Sequence, residues 1–234
     1  LSDYFFPDKT ETLLQKYVDI VSLGTVADCM PMLDENRTIV RRGILQSQQS
    51  HHSFFQTFVD TLKRPILTEE DIGFFVWPLL NAGGRLTTPY QSLTTLLAGS
   101  LDSFAHIQEL IGVNELRKWK SRDAFERALA SVDFSAPFLI FVDEQLEHGI
   151  LWLVAGKLTS AVFTLHDGFY VGSLRAPPGI DLVQILEASR DTLERFWGHA
   201  GAAGCTIRAD MMPEACEMLR NSASVLYGEH DATP

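Results

Sequence analysis

The pattern of apolar and polar positions predicts a helical first half of the chain, with one segment undecided. Residues 11–27 place apolar side chains on one helical face, but residues 18–26 also suit a buried strand, so periodicity leaves both structures open. Thr68 and the three acidic residues after it predict a helix start, because threonine can cap the first turn and acids favour its dipole. We expect that helix to end near Trp77, ahead of Pro78.

One turn and three further helices are predicted within the first 132 residues. The turn lies at residues 34–37, and the helices are expected over residues 38–62, 89–99 and 101–132. The last helix is long and rich in charge, which suits a connector between two domains, and the Ser-Ala-Pro stretch at 135–137 ends it. The sequence therefore predicts a domain over residues 1–100, a connecting helix over 101–135 and a second domain over 136–234.

After the connecting helix, short apolar strands alternate with helices. The predicted strands are residues 138–142, 161–166, 169–174 and 205–208. The Asp167-Gly168 pair between two of them is a strong hairpin signal. The predicted helices are residues 148–158, 180–188, 190–196 and 213–226, and the tail at 228–234 is expected to fray. This alternation predicts an α/β fold with a mixed sheet.

Composition narrows the classes of protein that fit. With 234 residues, 46% of them apolar, the chain can bury a sizeable core, and no apolar run approaches the roughly 20 residues of a membrane helix. We expect no membrane association and no signal peptide, and the absence of an initiator Met suggests a start inside a longer protein. Three cysteines without metal-ligand spacing fit a reducing, cytoplasmic setting. The net charge of -11 argues against a broadly basic nucleic-acid-binding surface, but a local one is still possible.

The stretch Gly-His-Ala-Gly-Ala-Ala-Gly at residues 198–204 has almost no side-chain bulk. Its backbone N–H groups can therefore approach a ligand closely, as in anion-binding nests and phosphate loops. His199 projects from this stretch and can donate to a phosphate oxygen. Glycine content fits a plain tight turn equally well, so this stretch alone leaves both interpretations open.

Three other segments accompany the glycine-rich stretch. They read Val-Ser-Leu-Gly-Thr-Val-Ala-Asp-Cys-Met-Pro at 21–31, Pro-Leu-Leu-Asn-Ala-Gly-Gly-Arg-Leu at 78–86 and Val-Gly-Ser-Leu-Arg-Ala at 171–176. In this order, the four segments resemble the RecJ family of single-strand-specific DNA exonucleases, which belong to the DHH phosphoesterases. The resemblance covers most of the chain and implies the helical end portion of a DHH domain, a long connecting helix and a small α/β DHH-associated domain.

The resemblance implies a metal site at Asp28. A helix would deliver this aspartate at its end as a catalytic ligand of Mn²⁺ or Mg²⁺, which prefer hard oxygen ligands. The family's other aspartate motifs and its Asp-His-His motif lie before this position and are absent from the sequence. The pair His51-His52 follows Ser50 rather than an aspartate, and we interpret it as a solvated pair on a helix. The chain thus resembles the C-terminal part of a RecJ-like protein.

Two segments offer side chains that suit phosphate groups. Asn81 and Arg85 lie in a predicted loop, and the resemblance implies that Arg85 contacts the nucleic-acid backbone. Gly83 replaces the family's usual alanine and is expected to loosen that loop. Ser173 and Arg175 face the same side of a predicted strand, where a hydroxyl and a guanidinium can clamp a phosphate. The resemblance implies that this phosphate is the terminal one of the bound strand.

Further binding residues surround the glycine-rich stretch. The resemblance implies that the backbone of residues 198–204 cradles the phosphate nearest the cut, and that Gly198, His199 and Ala200 bind the substrate, with His199 in a catalytic role. Trp197 is the one tryptophan considered for base stacking, although core packing is the favoured interpretation. Lys157 is a weaker candidate for a phosphate contact.

The resulting hypothesis is a metal-dependent 5′→3′ exonuclease that hydrolyses single-stranded DNA and takes part in DNA repair. Two alternatives stay open. One is a DHH-family phosphodiesterase for short oligonucleotides or cyclic dinucleotides, and the other is an inactive relative that keeps the fold for binding. The preference for DNA or RNA, the polarity of digestion, the metal and the oligomeric state are left open.

Overall fold

The computed structural model describes residues 7–63, 66–136 and 138–227. The chain divides into two compact units, Leu1–Leu116 and Arg117–Pro234. The predicted fraying at residues 228–234 lies outside the described residues, and the predicted domain limits stay a prediction.

The first unit begins with three helices: α1 (Thr10–Ala27), α2 (Asp34–Ser47) and α3 (Ser53–Leu62). The undecided segment is therefore a helix, as the resemblance implied. The predicted turn at 34–37 is wrong, because these residues form the first turn of α2. The predicted helix over 38–62 is in fact two helices. At the break between them, Ser50 donates to the buried carboxylate of Asp19 (2.5 Å), and this bond compensates for burying the charge.

The pair His51-His52 lies at this break and not within a helix, which corrects the prediction. His52 occupies the position before the first residue of α3, and its Nε2 is 3.3 Å from the carbonyl oxygen of Lys16. Its backbone N–H donates to the Ser50 hydroxyl (2.9 Å). His52 thus helps close the junction between α1 and α3.

A continuous helical segment follows, made of α4 (Glu69–Asp71), a π-helical turn (Ile72–Val76) and α5 (Trp77–Leu86). The predicted start is confirmed, because Thr68 and Asp71 form a reciprocal capping box. The predicted end near Trp77 is wrong. The π-helical turn ends at Val76, two residues before Pro78, and such a turn accommodates a proline ring that would otherwise clash with the carbonyl four residues earlier.

Two more helices are α6 (Pro89–Leu97) and the long α7 (Ser103–Ser131), and both agree with prediction. The core of the first unit gathers apolar side chains from α1, α3, the segment around α4 and α5, and the start of α7. Its buried members are Leu23, Phe54, Phe55, Phe58, Leu67, Ile72, Val76, Leu79, Leu80, Ile107 and Leu110. Each large side chain buried here stabilises the fold by about 1.5–3 kcal/mol.

The second unit contains a mixed five-stranded sheet of β1 to β5. The strands are Ile140–Val142, Ala161–His166, Phe169–Arg175, Arg195–His199 and Ala202–Arg208, in the spatial order β1-β2-β3-β5-β4. Only β1 and β2 run parallel among these neighbours. Asp167 and Gly168 join β2 to β3 with φ angles of 49° and 79°, so the predicted hairpin is confirmed as a turn with two left-handed residues.

Three helices complete the second unit: α8 (Leu151–Leu158), α9 (Leu182–Ala188) and α10 (Met212–Tyr227). Helices α9 and α10 bury the sheet face that carries Phe163, Leu174 and Cys205. On the opposite face, α8 packs against β2 and β3. On this opposite face, α8 leaves β4 and β5 more open than β2 and β3. The candidate site lies at this open side.

The structure corrects the prediction between residues 190 and 204. The predicted helix over 190–196 is instead a short 3-10 turn followed by β4, and the glycine-rich stretch is the hairpin of β4 and β5. Phe196 opposite Cys205 faces the core, and Trp197 opposite Gly204 faces the other side. Pairing with β5 therefore outweighs the local helical spacing.

Candidate nucleic-acid interface

The register of the sheet brings the second-unit candidates onto one face. Ser173 pairs with Gly204, which pairs with Trp197. In the next row on the same face, Arg175 pairs with Ala202, which pairs with His199. Since residues opposite each other in a sheet share a face, these side chains come from distant parts of the sequence to one surface.

A cleft of about 270 Å³ lies on this face, between the start of α8 and the hairpin of β4 and β5. Its lining residues are His148, Leu151, Trp152, Val171, Gly172, Ser173, Arg175, Trp197, Gly198, Ala202, Ala203 and Gly204. None of the described residues that line it is Asp or Glu, although the chain carries a net charge of -11. The cleft is thus a local, acid-free cationic region on an acidic protein, which suits an anionic ligand.

Arg175 supplies the positive charge of the cleft. Its Nη1 donates to Ser173 Oγ (3.2 Å) and to the Leu174 carbonyl oxygen (2.7 Å). Partial burial lowers the pKa of the Arg175 guanidinium, yet arginine stays charged at neutral pH. Among the described residues, no carboxylate forms an ion pair with it. A desolvated guanidinium with unused donors is suited to bind a phosphate.

Ser173 complements this guanidinium. Because its oxygen accepts from Arg175, the hydroxyl proton stays free to donate to a second acceptor. The two side chains are therefore aligned as a pair, as their spacing on one strand predicted. Their role in binding stays a prediction.

Gly198 is required by the geometry of the hairpin. Its φ is 139°, and a Cβ at this position would lie 2.5 Å from both the Ala202 carbonyl oxygen and the Ala203 Cα. Gly198 lines the cleft, whereas His199 and Ala200 do not. The Ala200 carbonyl accepts from the N–H of Leu182 (3.0 Å), which fixes the turn against the start of α9. The structure therefore brings Ser173, Arg175 and Gly198 together, with His199 one register row away from Ser173.

Asn81 and Arg85 belong to a second cleft, of about 340 Å³, within the first unit. They lie on α5 and not in a loop, so that prediction is wrong, and their spacing of four residues puts them on one helical face. Gly83 does not loosen this region. A Cβ there would lie 2.8 Å from Ser92 Oγ and 3.1 Å from the Thr88 carbonyl oxygen, so glycine permits the close approach of α5 and α6.

Asp28 follows the last residue of α1 and is exposed. Its backbone N–H donates to the Gly24 carbonyl (3.0 Å), and the next residue, Cys29, has a left-handed φ of 51°. A carboxylate at the negative end of a helix dipole is unfavourable unless a cation offsets it. Among the described residues, no group of three His, Cys, Asp or Glu side chains is arranged to hold a metal ion. The described residues therefore do not form a complete metal site around Asp28.

Sequence reasoning missed part of the cleft lining and misjudged Trp197. His148 and Trp152 line the cleft but were not predicted as site residues. Trp197 was expected in the core, but it is 53% exposed. The alternation of Arg195, Trp197 and His199 was the signal for a strand that presents these side chains on one face.

Lys157 does not line the cleft. Its Nζ lies 5.4 Å from the centroid of the Phe125 ring, a cation–π contact between α8 and α7. This contact gives the lysine a structural role within the second unit.

No protein-family model matches the chain. The single-stranded-DNA-specific exonuclease RecJ of Bacillus subtilis is 26% identical over 238 residues, which cover 95% of this chain and 30% of that protein. RecJ of Thermus thermophilus is 27% identical over 206 residues, which cover 85% of this chain and again 30% of the relative. The chain thus spans about a third of the length of these curated relatives.

Solved structures show the same fold. The crystal structures of Thermus thermophilus RecJ in complex with Mg²⁺ and with Mn²⁺ each match with a TM-score of 0.80 and 23% identity. The matches cover 90% of this chain and 35% and 33% of the two solved chains. Over most of its length the chain is therefore similar in sequence and in fold to about a third of those exonucleases.

Proposed function

We propose that this chain is part of a Mn²⁺- or Mg²⁺-dependent 5′→3′ exonuclease that hydrolyses phosphodiester bonds of single-stranded DNA. In this proposal the chain holds the phosphates of the strand. The observation that carries the proposal is the acid-free cleft, in which the half-buried Arg175 has no carboxylate partner among the described residues. The similarity to RecJ exonucleases adds the class of substrate.

Each phosphate-binding residue has a specific part in this proposal. The Arg175 guanidinium and the Ser173 hydroxyl bind the terminal phosphate of the strand, because both keep donors that the protein does not use. Gly198 allows the hairpin to approach that strand closely, and His199 and Ala200 extend the contact along it. Asn81 and Arg85 bind the sugar-phosphate backbone from their own cleft.

Among the described residues, Asp28 is the one metal ligand that we propose. Its carboxylate has the hard oxygen that Mn²⁺ and Mg²⁺ prefer, and its position at the end of α1 favours a bound cation. The remaining ligands would come from outside the described residues, where the family's Asp-His-His motif would supply them. We therefore assign no step of hydrolysis to a metal held by these residues.

The setting of the protein is also a proposal. Cys29, Cys205 and Cys216 are free, as expected in a reducing cytoplasm where a nuclease would act in DNA repair. Among the described residues, no helix combines the length and apolar character needed to cross a bilayer.

The proposal is tested by a nuclease assay on the full-length protein from which the chain derives. With Mn²⁺ and 5′-labelled single strands, we expect release of labelled mononucleotides, and Asp28→Asn should lower the rate by about 100-fold or more. Glu35→Gln, which changes another exposed carboxylate of the first unit, is the matched control and should leave the rate unchanged.

Substrate length separates the proposal from its alternatives. Faster cleavage of dinucleotides or cyclic dinucleotides than of long strands would favour a small-substrate phosphodiesterase. Tight binding of single strands without cleavage would favour an inactive relative. Equal activity of the Asp28→Asn variant and the parent protein would contradict the metal assignment.

A further inference from the structure

Trp197 is held in an unusual position for a large aromatic side chain. It lies on β4, at the edge of the sheet, and 53% of it is exposed. Its indole lies over Gly204, the residue directly opposite on β5. A Cβ on Gly204 would be 2.7 Å from Trp197 Cζ2 and 2.9 Å from Cε2. Only glycine at position 204 therefore allows the ring to lie against the sheet.

The sheet uses the same arrangement once more, in its core. Phe163 is directly opposite Gly172, and a Cβ on Gly172 would be 2.3 Å from a Phe163 ring carbon. An aromatic ring over a cross-strand glycine covers exposed backbone and stabilises the pair. Phe163 is fully buried by the surrounding core, whereas Trp197 has the same support and keeps much of its surface free. The difference leaves a rigid aromatic surface open to a ligand.

The surroundings of Trp197 favour an anionic ligand with aromatic groups. The guanidinium of Arg195 lies 5.7 Å from the indole centroid, and its Nε donates to Thr206 Oγ1 (3.3 Å). Arg175 and Ser173 line the same cleft, and none of the described lining residues is acidic. A nucleotide strand combines phosphates for the guanidinium groups with bases that stack on indole rings.

The distance across the sheet suits one continuous strand. Ser173 and Trp197 are separated by two strand spacings, or about 10 Å. A strand whose terminal phosphate binds Arg175 can therefore place one of its first bases over the indole. The cleft of about 270 Å³ is slightly smaller than typical ligand pockets, which suits the end of a strand and not a duplex.

We propose that Trp197, supported by Gly204 and flanked by Arg195, is a stacking platform for one nucleobase near the terminal phosphate of a bound single strand. This inference rests on the proposed function and adds a positioning residue to it. Stacking is independent of base identity, because every base has an aromatic face. The platform would therefore fix the position of the strand without selecting its sequence.

The test measures the affinity of the 234-residue chain for fluorescein-labelled oligothymidylate with a 5′-phosphate, by fluorescence anisotropy. Trp197→Ala should weaken binding about 5- to 100-fold, and Trp197→Phe should restore most of it, because a phenyl ring still stacks. Trp119→Ala is the matched control. Trp119 is 57% exposed on α7 and is not among the residues that line this cleft, so its loss should leave binding unchanged.

A second measurement reports on stacking itself. A series of strands carries one abasic site at successive positions from the 5′ end. We expect one position in the series at which the missing base weakens binding to the parent chain about as much as Trp197→Ala weakens binding of the complete strand. The strand with that abasic site should bind Trp197→Ala no more weakly than it binds the parent chain. This lack of additivity distinguishes a lost base contact from a general disturbance of the sheet.

Each outcome has a separate meaning. If Trp197→Ala binds as tightly as the parent chain, or if no abasic site weakens binding, the proposal that Trp197 is a stacking platform is wrong. If Arg175→Ala loses affinity while Trp197→Ala does not, the proposed function survives and this inference fails. If the parent chain does not bind single strands at all, both are overturned.

Discussion

The two clefts of this protein are built in different ways. In the first unit, Asn81 and Arg85 share one face of α5 because they are four residues apart on a single helix. In the second unit, Ser173 and Trp197 are 24 positions apart in the sequence and meet through the pairing of three strands. The first cleft is therefore set mainly by local geometry, and the second by register.

Glycine therefore has a different structural role in the helix of the first unit and in the sheet of the second. Gly83 on α5 faces the Ser92 hydroxyl, which donates to the Leu80 carbonyl oxygen, and the carbonyl of Thr88, which precedes α6. Gly172 and Gly204 are directly opposite aromatic rings across strand pairs, at fixed positions in the register. A helix can shift slightly to admit an extra methyl group, but a strand within a sheet cannot move without breaking its hydrogen bonds. The strand-built cleft should therefore tolerate substitution less.

The largest expected effect comes from Gly172→Ala. The new Cβ would lie 2.3 Å from the buried Phe163 ring, and we expect a loss of about 3 kcal/mol in the free energy of unfolding. Gly83→Ala should cost about 1 kcal/mol or less, because the better helix propensity of alanine offsets part of the contact with Ser92. Urea denaturation followed by circular dichroism measures both values.

Gly84→Ala is the control for the helix. Its nearest neighbour would be Pro89 Cγ at 3.6 Å, an ordinary contact, so propensity should stabilise the variant by up to about 1 kcal/mol. The contrast between helix and strand fails if Gly83→Ala destabilises the protein as much as Gly172→Ala.

The next effect compares the arginines of the two clefts. Arg175→Ala should weaken binding of a 5′-phosphorylated single strand about 10- to 100-fold, as expected for a charge-assisted bond from a partly desolvated guanidinium. Arg85→Ala should reduce the affinity for strands with and without the 5′-phosphate to the same extent, because it is proposed to contact the backbone. Fluorescence anisotropy with both strands measures the difference.

A lysine variant refines this comparison. Arg175→Lys keeps the charge but loses the planar set of donors, and it should recover only part of the affinity. A preference for the 5′-phosphate that persists in Arg175→Ala would place the terminal phosphate elsewhere.

The effect that is smallest at neutral pH, where it vanishes, concerns thiols in the two units. Burial raises the pKa of the Cys205 thiol in the sheet core to about 12, whereas the ordinary value is about 9. In alkaline solution the unfolded chain therefore loses this proton first. Between about pH 9 and 12, Cys205 should lower the free energy of unfolding by up to about 1.4 kcal/mol per pH unit.

The measurement is urea denaturation at several pH values. Cys205→Ala should show a shallower decline with rising pH than the parent protein, whatever its stability at neutral pH. Cys29→Ala changes an exposed thiol after α1 and should leave the slope unchanged. Equal slopes in all three proteins would mean that Cys205 does not titrate as its burial requires.

Much of the fold could be predicted from local pattern. The long α7, the Asp167-Gly168 hairpin, the helix start at Thr68 and the strand pair β2 and β3 were all predictable, because capping, turn chemistry and periodicity act over a few residues. The pairing of Ser173 with Arg175 was predictable for the same reason, since alternate residues of a strand share a face.

Other features of the fold could not be predicted from the local sequence pattern. Pro78 does not end a helix, because the π-helical turn before it admits the ring. Residues 195–199 form a strand because β5 pairs with them, and Trp197 is exposed because its ring lies over Gly204.

By itself, the sequence determined the helices and strands with strong local signals, and it supplied the RecJ-like motifs in order. Only the tertiary structure decided that the glycine-rich stretch is a hairpin, that Asn81 and Arg85 lie on a helix, and that Trp197 borders the cleft of Arg175. The physical reason is the range of the interactions. Capping and turns depend on neighbours along the chain, whereas strand pairing and close packing at glycine depend on residues that meet only after folding.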